Sequence, residues 1–145
     1  MADRYMLGAA SLFGVTTVFA TAVSAREPEL PAEALGIRIP GPVPVALALG
    51  LGSGIAAPWP MPVAAMWAAA RARPGAVGPP RVLAALGAMV LMGTVLEPAT
   101  WGLRPRSRLA RATVPLHVLS GTAMLAAGMR GAEAQSAPAA RSAGR

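Results

Sequence analysis

The chain has 145 residues, 54% hydrophobic and 13% charged, and contains no cysteine. A soluble domain carries about 25% charged residues, so halving that share while keeping long apolar runs excludes disordered, nucleic-acid-binding and ordinary globular classes. All 13 cations are arginine, against six acids. They gather at the edges of apolar segments, which is a membrane pattern and not a nucleic-acid footprint.

Spanning about 30 Å of hydrocarbon takes roughly 20 apolar residues, and four segments qualify. The first, 5–25, carries no charge. Arg4, the apolar run and Val23-Ser24-Ala25 also fit a signal peptide with a small-residue cleavage site, but the run is long for one, and a retained span is expected. The loop 26–42 holds Pro28, Pro31, Pro40 and Pro42 with Glu27, Glu29 and Glu33, and its middle, 31–35, predicts one short interfacial turn of helix.

The second segment, 43–70, would measure about 42 Å as a straight helix, too long for the hydrocarbon. It contains Pro58-Trp59-Pro60-Met61-Pro62, and three missing backbone donors forbid a continuous helix. The helix is therefore expected to be kinked or broken at Pro58–Pro62. Two readings stay open there: a tilted, kinked helix, or a discontinuous one whose exposed carbonyls line a cavity. Gly50, Gly52 and Gly54 lack the strand–helix context of a phosphate loop. Gly50 and Gly54, with Gly14 of the first segment, read as helix-packing positions.

The third segment, 82–101, is interrupted by Glu97, and the fourth, 112–129, closes at Arg130. Residues 131–145 have no apolar period and read as a disordered tail. The expected fold is all-α, a single integral membrane bundle of four transmembrane helices over 1–130.

Orientation by positive-inside counting is nearly tied. With the N-terminus inside, the cytoplasmic side holds Arg4, Arg71, Arg73, Arg81, Arg130, Arg141 and Arg145. The other side holds Arg26, Arg38, Arg104, Arg106, Arg108 and Arg111. An N-in, C-in arrangement is expected by that margin. Tyr5 and Trp67 fall at one interface and Trp101 at the other, where amphipathic rings prefer to sit. Arg104, Arg106, Arg108 and Arg111 are expected to contact anionic lipid. Exclusive use of arginine with abundant alanine fits a high-GC bacterial genome and hence a plasma membrane.

Ionisable residues inside a membrane are functional-site candidates, and here there are two, Glu97 and His117. They stand on either side of a short loop at similar depth, roughly 8 Å in. In the fourth segment His117, Ser120, Gly121, Met124 and Gly128 form one helical stripe; Glu97 shares its face with Thr94, Gly93 and Val90. Ala10, Gly14, Thr17, Thr21 and Ser24 make a small-and-polar stripe on the first helix. A polar pocket of Glu97, His117, Thr94, Ser120, Thr17 and Thr21 is expected, opening towards the first and third loops. The bland alternative has the hydroxyls bonded to their own helices, Glu97-Pro98 simply ending the third helix and Pro115 starting the fourth.

Three function classes follow. The first is an accessory, assembly or packing subunit acting through helix association, with another membrane protein or a second copy as partner. The second is a binding or transport module for a small apolar ligand, with Glu97 and His117 in its pocket. The third is a membrane enzyme moving a proton on an apolar substrate, the least favoured because no catalytic motif is present. In size and four-helix layout the chain resembles the small multidrug resistance transporters, in architecture alone, since their essential acid lies in the first helix and this first helix has none. Without cysteine the chain cannot be a quinone or epoxide reductase of the vitamin K type. The sequence offers no cofactor motif, and one histidine with six acids leaves little for a metal site.

Overall fold

The computed structural model describes residues 3–27, 33–34, 37–38, 41, 43–53, 55–102 and 107–136. Its helices are α1 (Arg4–Arg26), α2 (Val43–Ala48), α3 (Pro60–Arg71), α4 (Gly78–Leu96) and α5 (Arg108–Ser136). Three of them, over Arg4–Arg26, Gly78–Leu96 and Arg108–Gln135, are long and apolar enough to cross a membrane. Apolar side chains also cover the outside. Val15, Val63, Met92, Leu96 and Leu119 are each more than half exposed, a surface that suits lipid and not water.

Each helix starts where its sequence supplies a start. The Asp3 carboxylate accepts from the amides of Tyr5 (2.8 Å) and Met6 (3.3 Å) and so caps α1. α3 and α4 carry proline in their first turn, where the missing N–H has no intrahelical partner to lose. Ser107 caps α5, its hydroxyl accepting from Ala110 N at 3.0 Å. The same hydroxyl donates to the Glu27 carboxylate, which ties the end of α1 to the start of α5.

Side-chain neighbours fix the relative directions. A Cβ on Gly131 would meet Met6 and Pro80, and one on Gly128 would meet Pro80 and Ala84. The starts of α1 and α4 and the end of α5 therefore share one end of the bundle. The end of α1 and the start of α5 share the other. α5 runs antiparallel to both α1 and α4 and packs most extensively on α4. The core holds Met6, Ala10, Phe13, Leu83 and Met124, all fully buried, with Ala65 and Ala69 of α3 beside them.

Several expectations are corrected. Residues 43–70 do not form one helix: α2 stops at Ala48, residues 49–53 and 55–59 are non-helical, and α3 begins at Pro60. The Pro58–Pro62 motif thus opens a helix instead of kinking one, with Pro60 and Pro62 in the first turn of α3 and Trp59 just before it. The third helix occupies 78–96, not 82–101, because Pro98 has no amide to continue it. The fourth begins at Arg108, so Pro115 lies inside it. It also continues six residues past Arg130, since Gly131 docks against Met6 and Pro80. The remainder of the expected tail, 137–145, lies outside the described residues. In the first loop, Glu33–Ala34 (β1) pairs antiparallel with Ile37–Arg38 (β2), so 33–34 of the expected helical turn are extended, and the rest of that turn lies outside the described residues.

Gly14 and Gly50 are not packing glycines. A Cβ on Gly14 would meet nothing within 4 Å, and Gly50 sits beyond α2 with φ +74°. Gly54 lies outside the described residues. The close approach belongs instead to Gly87 and Gly128: their Cβ atoms would come within 2.5 Å of Leu125 N and Ala84 N, respectively. Only hydrogen fits there, and α4 and α5 meet backbone to backbone.

Candidate functional site

The site grows from the way residues 49–59 manage their backbone polar groups. Trp59 N donates to Gly50 O (3.1 Å), closing the neck of a loop. Within it, Ser53 N donates to Ala56 O (2.9 Å), and Ala56 N to Ser53 O (3.2 Å). The Ser53 hydroxyl oxygen accepts from Ile55 N (3.3 Å) and Ala56 N (3.1 Å), and bonds the Ser24 hydroxyl of α1 at 2.6 Å. Buried backbone requires such partners, and this loop finds most of them in itself. Its far side packs on α1 and α5, with Ile55 against Val23 and Ala110.

Across from this loop, α4 ends without a free carbonyl row. Glu97 N donates to Gly93 O at 3.1 Å. Pro98 has no N–H for Thr94 O, and the Thr100 hydroxyl takes that place at 2.6 Å. Trp101 Nε1 donates to Val95 O at 2.7 Å. A 3-10 turn over Pro98–Trp101 folds back to make these contacts. The turn leaves Glu97 buried, 8% exposed, just past the helix.

On α5, His117 is also buried, at 7%. Its Nδ1 lies 2.8 Å from Thr113 O. A carbonyl only accepts, so Nδ1 carries the proton and, in the neutral ring, Nε2 is the acceptor. One turn earlier the Thr113 hydroxyl donates to Ala110 O at 2.7 Å.

These three walls enclose a partly open cavity of about 80 Å³. The loop contributes Ser53, Ile55, Ala56, Ala57 and Pro58, and α3 contributes Met61. Val90, Gly93, Thr94, Glu97 and Thr100 come from α4 and its turn; Thr113, Val114 and His117 come from α5. A water needs roughly 10–15 Å³ on this measure, so the space suits several waters or a small organic molecule. It lies in the half of the bundle nearest the end of α4 and the start of α5.

Three of the six expected pocket residues therefore line the cavity: Glu97, His117 and Thr94. The others do not. Thr17 donates to Phe13 O (3.0 Å) within α1, and the Ser120 hydroxyl donates to His117 O (3.2 Å) within α5. Thr21 Oγ1 is buried without a hydrogen-bond partner, away from the cavity wall. Of the proline motif Pro58 and Met61 line the space; Trp59, Pro60 and Pro62 do not. Arg108 and Arg111 are exposed at the start of α5, whereas Arg104 and Arg106 lie outside the described residues. Ser53, Thr100 and Thr113 were not singled out in the sequence; only the general rarity of hydroxyls on lipid faces pointed to them.

At the opposite end, Arg4 stacks over Tyr5 at 5.1 Å and Arg71 over Trp67 at 5.3 Å. Such pairs of cation and amphipathic ring suit the headgroup layer. Comparison of the chain with protein-family profiles, with curated proteins and with solved structures returns no match.

Proposed function

We propose that this is a polytopic membrane protein of a bacterial plasma membrane whose helical bundle binds a small, largely apolar molecule inside the membrane, as a binding or transport module. The observation that carries the reading is the cavity whose wall includes both buried ionisable side chains, Glu97 and His117. Ionisable groups at membrane depth are expensive, and their usual justification is a ligand or ion pathway.

The proposed arrangement has four crossings, the second made jointly by α2 and α3. Its support is directional. α1 and α4 start at the same end of the bundle, so the chain between them has to return across it. α2 and α3 together rise about 27 Å if straight, close to the hydrocarbon thickness, and Gly52, Ser53, Ile55 and Ala56 of the loop between them are buried, as irregular backbone in a membrane has to be. Both termini then face one side, taken as the cytoplasm by the slim excess of arginines there, with Arg108 and Arg111 at the far headgroups.

A role as a packing subunit drew its support from small-residue seams. Those seams are occupied within the chain: Gly87, Gly121 and Gly128 close α4 on α5, and Ala10, Thr17 and Ser24 are buried in the bundle. The ligand reading is therefore preferred.

Native mass spectrometry of gently solubilised protein tests it. A stoichiometric small-molecule adduct on the wild type, lost when Ala57→Phe fills the cavity, is the expected result. A co-purifying protein with no small-molecule adduct would favour the association reading instead.

A further inference from the structure

The cavity lies on a seam between two sets of elements, each bonded within itself. The first set is the end of α1, the non-helical loop and the start of α5. Ser24 bonds Ser53 at 2.6 Å, Val23 and Ala110 pack with Ile55, and Ser107 donates to the Glu27 carboxylate. The second set is α4, its 3-10 turn and the remainder of α5. The Thr100 hydroxyl and Trp101 Nε1 tie the turn to Thr94 O and Val95 O of α4. A Cβ on Gly87 would lie 2.5 Å from Leu125 N, and one on Gly128 would lie 2.5 Å from Ala84 N. Backbones that close leave α4 and this part of α5 no room to shift separately. Ser53, Ile55, Thr113 and Val114 line the cavity from the first set, and Gly93 and Thr94 line it from the second.

α5 belongs to both sets, and Pro115 stands where the helix passes from one to the other. It lies well beyond the first turn, where a proline would cost nothing. Having no N–H, it leaves Arg111 O without the amide four residues on, and its ring crowds that carbonyl. The ring is exposed on the outer face of the bundle. On the inner face His117 Nδ1 donates to Thr113 O at 2.8 Å, a bond that spans the proline. The helix is thus weakened outside and kept whole inside, so it bends there without breaking.

We propose that α5 hinges at Pro115, and that this bending opens and closes the cavity by carrying the end of α1, the loop and residues 108–114 as one body relative to α4. Residues 108–114 rise about 10 Å, so a change in bend of about 20°, the scale of a sharp proline kink, displaces Arg108 by about 4 Å. The motion needs no particular occupant, so it stands or falls apart from the ligand reading.

Double electron–electron resonance on the full chain in nanodiscs reads the motion, with spin labels on paired cysteines in a chain that has none of its own. Leu109→Cys with Met92→Cys spans the seam. Ala25→Cys with Leu109→Cys lies within the first set, and Val82→Cys with Met129→Cys within the second; all five positions are exposed. The Leu109–Met92 distances should spread over about 4 Å more than those of the other two pairs. Pro115→Ala should remove that excess and leave the two within-set pairs unchanged, which also reports that the variant is folded. A Leu109–Met92 spread no wider than the within-set pairs in the wild type would overturn the hinge. An excess spread that persists in Pro115→Ala would overturn it as well. A Ala25–Leu109 pair as widely spread as Leu109–Met92 would show that the first set does not move as a body, and would overturn the proposal on that ground.

Discussion

Ser24 of α1 and Ser53 of the non-helical loop share a buried hydrogen bond of 2.6 Å across 29 positions of sequence. The two partners are not equivalent. Ser53 Oγ also receives Ile55 N and Ala56 N, so it organises the loop that forms one cavity wall, whereas Ser24 contributes the bond between helix and loop. Ser53→Ala takes the acceptor from the buried Ile55 amide and leaves Ala56 N with Ser53 O alone, and should cost about 1–3 kcal/mol. Ser24→Ala removes one hydrogen bond within the bundle, worth about 0.6 kcal/mol on average in membrane proteins. Unfolding in mixed micelles by SDS titration reads both; equal losses would show that the loop does not depend on the Ser53 oxygen.

Gly52 should be the least replaceable residue of that loop. Its φ is +81°, and a Cβ there would press on Ala56 O and lie 2.9 Å from Pro58 N, both backbone atoms that cannot swing aside. Gly75 is the matched control, with φ +87° and nothing within 4 Å of its would-be Cβ. Gly75→Ala carries only the left-handed conformational penalty, about 1–2 kcal/mol. Gly52→Ala adds a clash and should lose more stability than that, and any cavity-dependent binding too. Equal tolerance of the two substitutions in the same SDS titration would mean that the loop relaxes freely.

The α4–α5 contact makes a similar pair of expectations. Gly128→Ala places a methyl 2.5 Å from Ala84 N and 2.6 Å from Pro80 O, forcing the helices apart at a cost of about 1–3 kcal/mol, as overpacking generally does. Gly14→Ala meets nothing and should be neutral or stabilising by up to about 1 kcal/mol, since alanine forms helix more readily than glycine. A Gly14→Ala variant less stable than Gly128→Ala would reverse the assignment of the packing seam.

These contrasts mark the limits of the sequence. Periodicity on a long helix is a strong constraint, so the stripe of His117, Ser120, Gly121, Met124 and Gly128 was legible, and every member is buried. That Glu97 and His117 come to one side of the bundle, where both line the cavity, followed from a short loop between antiparallel helices, a local inference. Glycines four apart in an apolar run are ambiguous, however. Gly50 and Gly54 match a packing motif as well as a turn, and only the loop closure by Trp59 N on Gly50 O decides. Ser120 shares a face with His117, which lines the cavity, and Thr17 belongs to the polar stripe of α1, which contributes no lining residue; both hydroxyls bond carbonyls of their own helices, and periodicity cannot tell that fate from lining a pocket. The extension of α5 to Ser136 depends on Gly131 docking onto Met6 and Pro80, contacts remote in sequence from any helix-ending signal.

The direction of the chain gives the last prediction. If α2 and α3 together return the chain across the membrane, the loop after α3 lies on the same side as the end of α5, and opposite the end of α1. The chain has no cysteine, so single cysteines report without background. Arg26, Arg73 and Ala134 are all exposed and serve as positions. A membrane-impermeant maleimide added to intact cells should label Arg26→Cys, while Arg73→Cys and Ala134→Cys react only after the membrane is opened. Labelling of Arg73→Cys and Ala134→Cys from outside, with Arg26→Cys protected, would invert the orientation and keep four crossings, because the two positions still move together. Labelling that pairs Arg73 with Arg26 would instead mean that α2 and α3 do not cross. Such a result conflicts with the shared end of α1 and α4 that Gly131, Met6 and Pro80 define, so it would require a different packing of α4 as well as a different topology.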